Sequence, residues 1–358
     1  MKKPKMLYFC VNQASFVKKD VAIFAQKYDV KVCDFYHTNK KYTPILFLKQ
    51  FWFLLVNIWG TKIVVCQFAG YHSFMPTLVA RLFNIPSLIV AGGMDCVSFP
   101  SLRYGNFHKQ LLGAFTRMSF YLCTHISPVH ESLLKRNDTY YGDDNFKQGI
   151  LHYCPNIRAQ IKTIYNGYDA AAWPKPHQNR KPNSFITVAA TLDNPVRMIL
   201  KGADMVFDVA RLLPDYSFTV IGFMGNRKPD WPANVTVLPF TPADELARLF
   251  GEHEFYLQLS ISEGFPNALS EAMLCGCIPI VSEVASMSFI VGDAGFVLTQ
   301  RNVSMLKVLL EDAVRQDKVF LSKAVRNRIE QNFPISKRVK GLLDLTEEML
   351  HPNKEKTA

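Results

Sequence analysis

Residues Ser262 to Glu283, reading SEGFPNALSEAMLCGCIPIVSE, set two carboxylates around one helix start. The apolar run Phe255 to Ser260 predicts a strand, and Asn267 to Leu274 predicts the helix after it. Gly264 permits a tight turn or a close backbone approach. Pro266 and Asn267 suit the first positions of a helix. The free N–H groups and positive dipole end at such a start form an anion site, suited to a diphosphate. Glu263 lies on the loop before the helix, and Glu271 about one turn inside it. A carboxylate accepts two hydroxyl hydrogen bonds at once, which suits a ribose or hexose diol. Two glutamates at this spacing and nothing more would read as the solvated face of an amphipathic helix. The surrounding residues point instead to a site.

The elements that must position this segment alternate between strand and helix. Lys5 to Val11, Val30 to Phe35, Lys62 to Gln67 and Ser87 to Ala91 are short apolar or β-branched runs, with helical spacing at Phe16 to Lys27 and Met75 to Phe83. Such runs predict a parallel sheet covered on both faces. A turn at Tyr165–Asp169 and a proline-rich stretch, Trp173 to Pro182, interrupt the pattern and read as a linker. Alternation then restarts at Phe185 to Ala190 and continues through Gly202 to Leu212, Ser217 to Gly222, Val235 to Leu238, Ala243 to Phe250 and Ile278 to Ser282. The expectation is an α/β chain of two Rossmann-like parallel-sheet domains, 1–175 and 183–334, facing a central cleft. A final helix, 335–350, packs back toward the first domain. Ligands in such sheets bind beyond the carboxyl ends of the strands.

Composition narrows the classes. The 358 residues suit about two domains, and 49% hydrophobic against 20% charged residues excludes a disordered chain. The net charge of +11 is uneven: up to residue 178 there are 21 Lys and Arg against 9 Asp and Glu, a net of +12, and the remainder is −1. A basic half attracts anions, whether nucleic acid, an anionic membrane surface or a phosphorylated substrate, or is simply a solvated surface. The eight cysteines sit mostly in apolar contexts and read as buried thiols of a cytoplasmic protein. Cys275 and Cys277 lack a second Cys/His pair at ligand spacing, so no metal site is expected. No signal peptide is evident. No run reaches about 18 uncharged apolar residues. The richest, Ile45 to Gly60, predicts a mostly buried helix, with an interfacial helix as the second reading.

The segment 262–283 resembles the E-x7-E motif of retaining glycosyltransferases of the GT-B fold, specifically glycosyltransferase family 4. The resemblance extends along much of the chain. Ile164 to Asp169 resembles the turn that ends the first domain. Val188 to Leu192, followed by Lys201-Gly202, resembles the first strand and phosphate-binding loop of the second. Val291 to Gly295 resembles the turn after the sugar site, and Lys337-Arg338 opens the helix that crosses back. The resemblance implies that Glu271 binds the nucleotide ribose and that Glu263 lies near the donor sugar and reacting centre. It implies that Gly264, Phe265, Pro266 and Asn267 hold sugar hydroxyls and phosphate, and that Lys201 neutralises the diphosphate. Where the family has an Arg in a Gly-Arg-Leu context, this chain reads Ala190-Thr191-Leu192, and Arg197 is the substitute. In the N-terminal half, Phe9 to Ser15 lacks the glycine-rich loop of many relatives. Gly92 and Gly93 follow a strand and could meet donor or acceptor through backbone. His72 could face the cleft or be a satisfied structural histidine.

The resemblance implies a glycosyltransferase that retains anomeric configuration and needs no obligatory metal, cofactor aside from its nucleoside-diphosphate-sugar substrate being none. No Asp-x-Asp occurs in the chain. The expected role is cell-surface polysaccharide or glycolipid assembly. The expected partners are a glycan or lipid-linked acceptor and an anionic membrane surface, with the protein peripheral on its inner, cytoplasmic face. Residues 101–121, with Arg103, Lys109 and Arg117 beside Phe107, Leu111 and Phe115, are the expected lipid contacts, or an ordinary core-facing helix. The competing class is a non-catalytic sugar-nucleotide or nucleic-acid binding module. No helix-turn-helix, zinc or aromatic-stacking motif supports nucleic acid.

Overall fold

The computed structural model describes residues 2–36, 40–142, 146–176, 179–225 and 230–351. The chain divides into two units: Met1–Asn137 with Lys147–Tyr165 and Ser336–Ala358, and Asp138–Phe146 with Asn166–Ile335. The units divide between residues 165 and 166, so residues 166–175, expected in the first domain, fall in the second unit, as do Asp138–Phe146.

In the first unit, strands β1 (Lys5–Cys10), β2 (Asp29–Asp34), β3 (Thr61–Gln67), β4 (Ser87–Ala91), β5 (His125–Pro128) and β6 (Gln160–Ile161) form one sheet in the order β2-β1-β3-β4-β5-β6. Every pairing is parallel. The central runs, Met6 to Phe9 and Ile63 to Cys66, are apolar throughout because both faces are covered and no position meets water. Helices α1 (Ser15–Phe24), α2 (Thr43–Asn57), α3 (Tyr71–Leu82) and α4 (Gln110–Leu122) carry the chain between strands.

Helix α2 corrects the expectation of a mostly buried helix. Only Gln50 and Leu54 of its fifteen residues are buried. A run with so few polar residues offers little contrast from which to read an inner face, and the inner face here includes one of them: Gln50 Nε2 donates to the His72 carbonyl at 2.8 Å. The apolar side chains on the opposite side face outward. The 101–121 stretch, read as lipid contacts or a core-facing helix, packs several of its side chains inward. Phe107 stacks on Tyr153 at 4.3 Å, Arg117 Nε donates to the Tyr153 carbonyl at 3.0 Å, and Phe115 packs among Phe47, Tyr71 and Phe74. Phe107, Phe115 and Arg117 are thus engaged inside the unit, while Arg103, Lys109 and Leu111 are exposed.

In the second unit, β7 (Lys181–Val188), β8 (Ser217–Ile221), β9 (Val235–Leu238), β10 (His253–Gln258), β11 (Ile278–Ser282) and β12 (Phe296–Leu298) form a parallel sheet in the order β9-β8-β7-β10-β11-β12. Counted within the unit this is 3-2-1-4-5-6, the doubly wound order whose crevice lies where the strand order reverses, between β7 and β10. Phe185, Phe218 and Phe255 stack across the three middle strands at 4.9–5.1 Å. Helices α5 (Pro195–Leu200), α6 (Ala203–Leu212), α7 (Asn267–Leu274), α8 (Val303–Arg315) and α9 (Lys318–Asn332) belong to this unit. The proline-rich stretch read as a linker is tied down within it: Arg326 of α9 donates to the carbonyls of Ala170, Trp173 and Pro174.

Helix α10 (Ile335–Leu350) lies almost wholly in the first unit. Its Arg338 makes a two-pronged pair with Asp20 of α1, at 2.8 and 2.6 Å, and donates to the Tyr165 carbonyl at 3.1 Å. Arg338 and Asp20 are both nearly inaccessible to solvent. Removing one partner of such a pair leaves an uncompensated buried charge. Asp20→Ala is therefore expected to destabilise the first unit by about 3–5 kcal/mol, read as a lower denaturant midpoint. An unchanged midpoint would contradict this role.

Candidate functional site

The two loops beside the reversal point meet. The chain leaving β7 runs through α5 to Lys201 and Gly202, and the chain leaving β10 runs from Leu259 to Pro266. The Ile261 N–H donates to the Leu200 carbonyl at 2.8 Å, which locks one loop to the other. Gly202 stands at φ +70°, and a Cβ there would lie 2.2 Å from the Leu259 carbonyl oxygen, so only glycine allows this approach. The consequence is a contact between residues far apart in sequence: Lys201 Nζ lies 2.5 Å from Glu263 Oε1. Both side chains keep partial access to solvent.

Behind this pair lies a buried polar relay. Tyr256 donates its hydroxyl to Gln258 Oε1 at 2.7 Å. Gln258 Nε2 in turn donates to Ser260 Oγ at 2.7 Å and to Glu263 Oε1 at 3.2 Å. Glu263 is thereby held by an amide from behind and an ammonium from the side. Burial pushes the Tyr256 phenol well above its ordinary value, and the charges of Glu263 and Glu271 push it further. Both carboxylates of the sequence motif thus act on one phenol.

Helix α7 begins at Asn267 as expected, with Pro266 before it and no side chain capping the first turn. Its early N–H groups are the unmet donors of a helix start. Asn267 Oδ1 accepts from Asn166 Nδ2 at 3.2 Å and from the Tyr168 hydroxyl at 2.9 Å. The Phe265 carbonyl accepts from the same Asn166 amide at 3.2 Å, and the Phe265 ring packs against Tyr168 and Phe333. Ser286 Oγ donates to the Gly264 carbonyl at 2.7 Å. The loop is therefore rigidly braced. Glu271 is partly buried on α7. Arg197 sits in the first turn of α5, where Asn194 caps its N–H. Among the described residues its guanidinium has no hydrogen-bond or ion-pair partner.

The structure brings together Lys201 and Glu263 directly, and gathers Gly264 to Asn267 and Glu271 around the α7 start. The expected residues of the first unit hydrogen-bond to their own neighbours. The N–H groups of Gly92 and Gly93 donate to Asp95 Oδ1 at 3.1 and 2.9 Å, so these donors are already engaged by an aspartate of their own loop. His72 is 3% exposed and donates from Nε2 to the Gln67 carbonyl at 3.1 Å. Of the two readings of this residue, the geometry fits the structural histidine.

Sequence reasoning missed Gln258, Tyr256, Asn166, Tyr168 and Ser286. Gln258 had a signal, a polar residue following the apolar run Phe255 to Leu257. The turn at Asn166 was read only as a boundary, and Ser286 had no signal. Among the described residues no group of three or more His, Cys, Asp or Glu side chains could hold a metal ion. All eight cysteines are free and buried.

Residues 197–332 match the family described as "Glycosyl transferases group 1". That span contains Arg197, Lys201, Glu263 to Asn267 and Glu271. An 83-residue stretch is 29% identical to O-antigen chain mannosyltransferase B of Escherichia coli, covering 23% of this chain and 22% of that one. The match thus spans about a fifth of that protein's length. Whole-chain likeness is seen in solved structures. Sucrose-phosphate synthase of Thermosynechococcus elongatus superposes with a TM-score of 0.73 at 11% identity, over 98% of this chain and 100% of that one. HepE of Anabaena, solved with UDP, gives 0.66 at 12%, over 96% and 100%. A glycosyltransferase of Rickettsia africae gives 0.65 at 12%, over 98% and 100%. At these identities the likeness is one of fold: two parallel six-stranded sheets in the GT-B manner.

Two outcomes follow from this geometry. Gly202→Ala is expected to lower the thermal midpoint, because the added methyl must displace the Leu259 backbone. A midpoint equal to that of wild type would contradict the close approach. Burial holds His72 at about 4, below its ordinary 6.5. Between those values the unfolded imidazole binds a proton that the folded one refuses. Stability from this residue is thus complete above pH 6.5 and falls on acidification toward pH 4, by roughly 3 kcal/mol in all. Urea unfolding across this window should show a shallower pH slope for His72→Gln. His125, His130 and His253 shift in the same direction, so some slope remains.

Proposed function

We propose that this chain is a retaining glycosyltransferase that moves a sugar from a nucleoside-diphosphate sugar to a hydroxyl acceptor. One observation carries the reading. Lys201 and Glu263, delivered by the two strands flanking the sheet's reversal point, meet beside the uncapped start of α7. A cation and a helix start suit a diphosphate. A carboxylate braced beside them suits a sugar that becomes positively charged as its bond breaks.

In the reaction, the bond from the anomeric carbon to the diphosphate oxygen breaks and the acceptor oxygen bonds to that carbon from the same face. The acceptor proton passes to a departing phosphate oxygen. Lys201, Arg197 and the α7 N–H groups stabilise the charge on the leaving diphosphate, Glu263 stabilises the sugar, and Glu271 binds the ribose diol. An ammonium already paired with Glu263 must share its charge with the incoming diphosphate, so donor binding loosens that pair. A cavity of about 410 Å³ at the ends of β8 and β9 has a mixed polar and apolar lining, with Phe223, Met224, Thr236 and Leu238 among its walls, and is assigned to the base. The UDP and UDP-glucose complexes of the Anabaena neighbour support this donor class. The name of the E. coli relative, an O-antigen chain mannosyltransferase, also supports an assignment to surface polysaccharide or glycolipid assembly. The acceptor, a glycan or a lipid-linked phosphate, is assigned to the basic first unit, peripheral on the inner face of the membrane.

A panel of nucleoside-diphosphate sugars tested by thermal shift should contain at least one that stabilises wild type. The same compound should not stabilise Glu271→Ala. Turnover with that donor should fall by roughly 10²–10³ in kcat for Lys201→Ala, the usual loss when a charge-stabilising group is removed. If no donor stabilises wild type, or Glu271→Ala responds as wild type does, the assignment is wrong.

A further inference from the structure

The sixty residues from Phe35 to Met94 contain no Asp or Glu and five Lys or Arg. Within them, α2 is built inside out. Ile45, Leu48, Trp52, Leu55, Val56 and Trp59 recur every three or four residues and are each 46–72% exposed. That period places them on one outward stripe. The inward stripe holds Phe47, Gln50 and Leu54, with Phe47 packed against Phe35, Tyr71 and Phe115. Lys5 Nζ fixes the far end by donating to the carbonyls of Asn57 and Trp59 at 3.0 and 2.8 Å. The outward stripe is therefore held in place from both ends of the helix. Trp59 continues it onto Phe83, 5.5 Å away ring to ring, beside Leu82 at 70% exposure.

We propose that this face of the first unit docks on a bilayer bearing anionic headgroups, with α2 lying in the plane of the interface. A contiguous exposed apolar surface of this kind marks an interaction site. Tryptophan rings suit the boundary between headgroups and acyl chains. Lys49 of α2 pairs with Asp34 at 2.9 Å, whereas Lys62 and Arg81, which lie close to Trp59 and Leu82 in the sequence, are exposed and suit anionic lipid, each contributing on the order of 1 kcal/mol near such a surface. A second copy of the chain fits less well, because it would set two cationic faces against each other. No helix among the described residues is long and apolar enough to cross a membrane, so the contact is one of lying on the surface. This deepens the membrane-side part of the proposed function, moving the contact from residues 101–121 to α2, and does not depend on the donor site.

The test is co-sedimentation of the full chain with phosphatidylcholine vesicles, with and without phosphatidylglycerol, at low and high salt and without any sugar nucleotide. Wild type should pellet with the anionic vesicles at low salt, with a blue shift in tryptophan emission. The double variant Leu48→Glu, Trp52→Glu changes only exposed positions and should keep the wild-type thermal midpoint. Its partition coefficient should fall by at least roughly tenfold. Wild type that ignores anionic vesicles, or a folded variant that binds as well as wild type, would overturn the proposal. So would a variant that dissolves a dimer while wild-type vesicle binding is absent, since the face would then belong to a second copy. Because no donor is present, the result stands apart from any failure of the nucleotide-sugar panel.

Discussion

The close approach of Gly202 to the Leu259 carbonyl is the constraint on which the candidate site depends. It brings the loop after β7 against the loop after β10. The Ile261–Leu200 hydrogen bond holds them there, and Lys201 is left beside Glu263. Everything else around the pair works to keep it rigid. Gln258 braces the carboxylate from the strand end. Asn166, Tyr168 and Ser286 hold the loop that leads into α7. Groups that must stabilise developing charge are most effective when they are fixed before the reaction begins.

The fold order explains why the contact forms at this place. In a sheet ordered 3-2-1-4-5-6 the first and fourth strands are neighbours, yet their connections leave on opposite faces. The crevice between them is the one position at which loops from distant parts of the sequence converge without a connection crossing over them. The apolar core under it, with Phe185, Phe218 and Phe255 stacked across three strands, supplies the stiff floor.

Much of this was legible in the residues. Apolar runs buried on both faces announce parallel strands, and Pro266-Asn267 announces the start of α7 at its observed position. The glutamates and Lys201 were legible as site candidates from their types and their resemblance to a family motif. Their contact was not, because it depends on strand order, which periodicity does not encode. The inner face of α2 was not legible because hydropathy offers little contrast along a helix this apolar, and its buried polar residue, Gln50, runs against the rule. Gly92 and Gly93 looked open, yet Asp95, two residues on from Gly93, is placed to occupy their N–H groups. His72 follows the same lesson: an imidazole after a strand end is free to engage a ligand through a ring N–H only if no nearby carbonyl accepts that N–H, and the Gln67 carbonyl does.

The two units thus divide their charge as they divide their chemistry: the first carries the cationic excess and the outward apolar helix, and the second carries the paired carboxylate and ammonium. The claim at the centre is that Lys201 and Glu263 stand at a diphosphate site. Calorimetric titration of nucleoside diphosphates, and of the matching nucleosides, into wild type and Lys201→Ala addresses it most directly. The expected result is that one diphosphate binds wild type and loses affinity in the variant, while its nucleoside binds both equally. A variant that binds the diphosphate as tightly as wild type would contradict it.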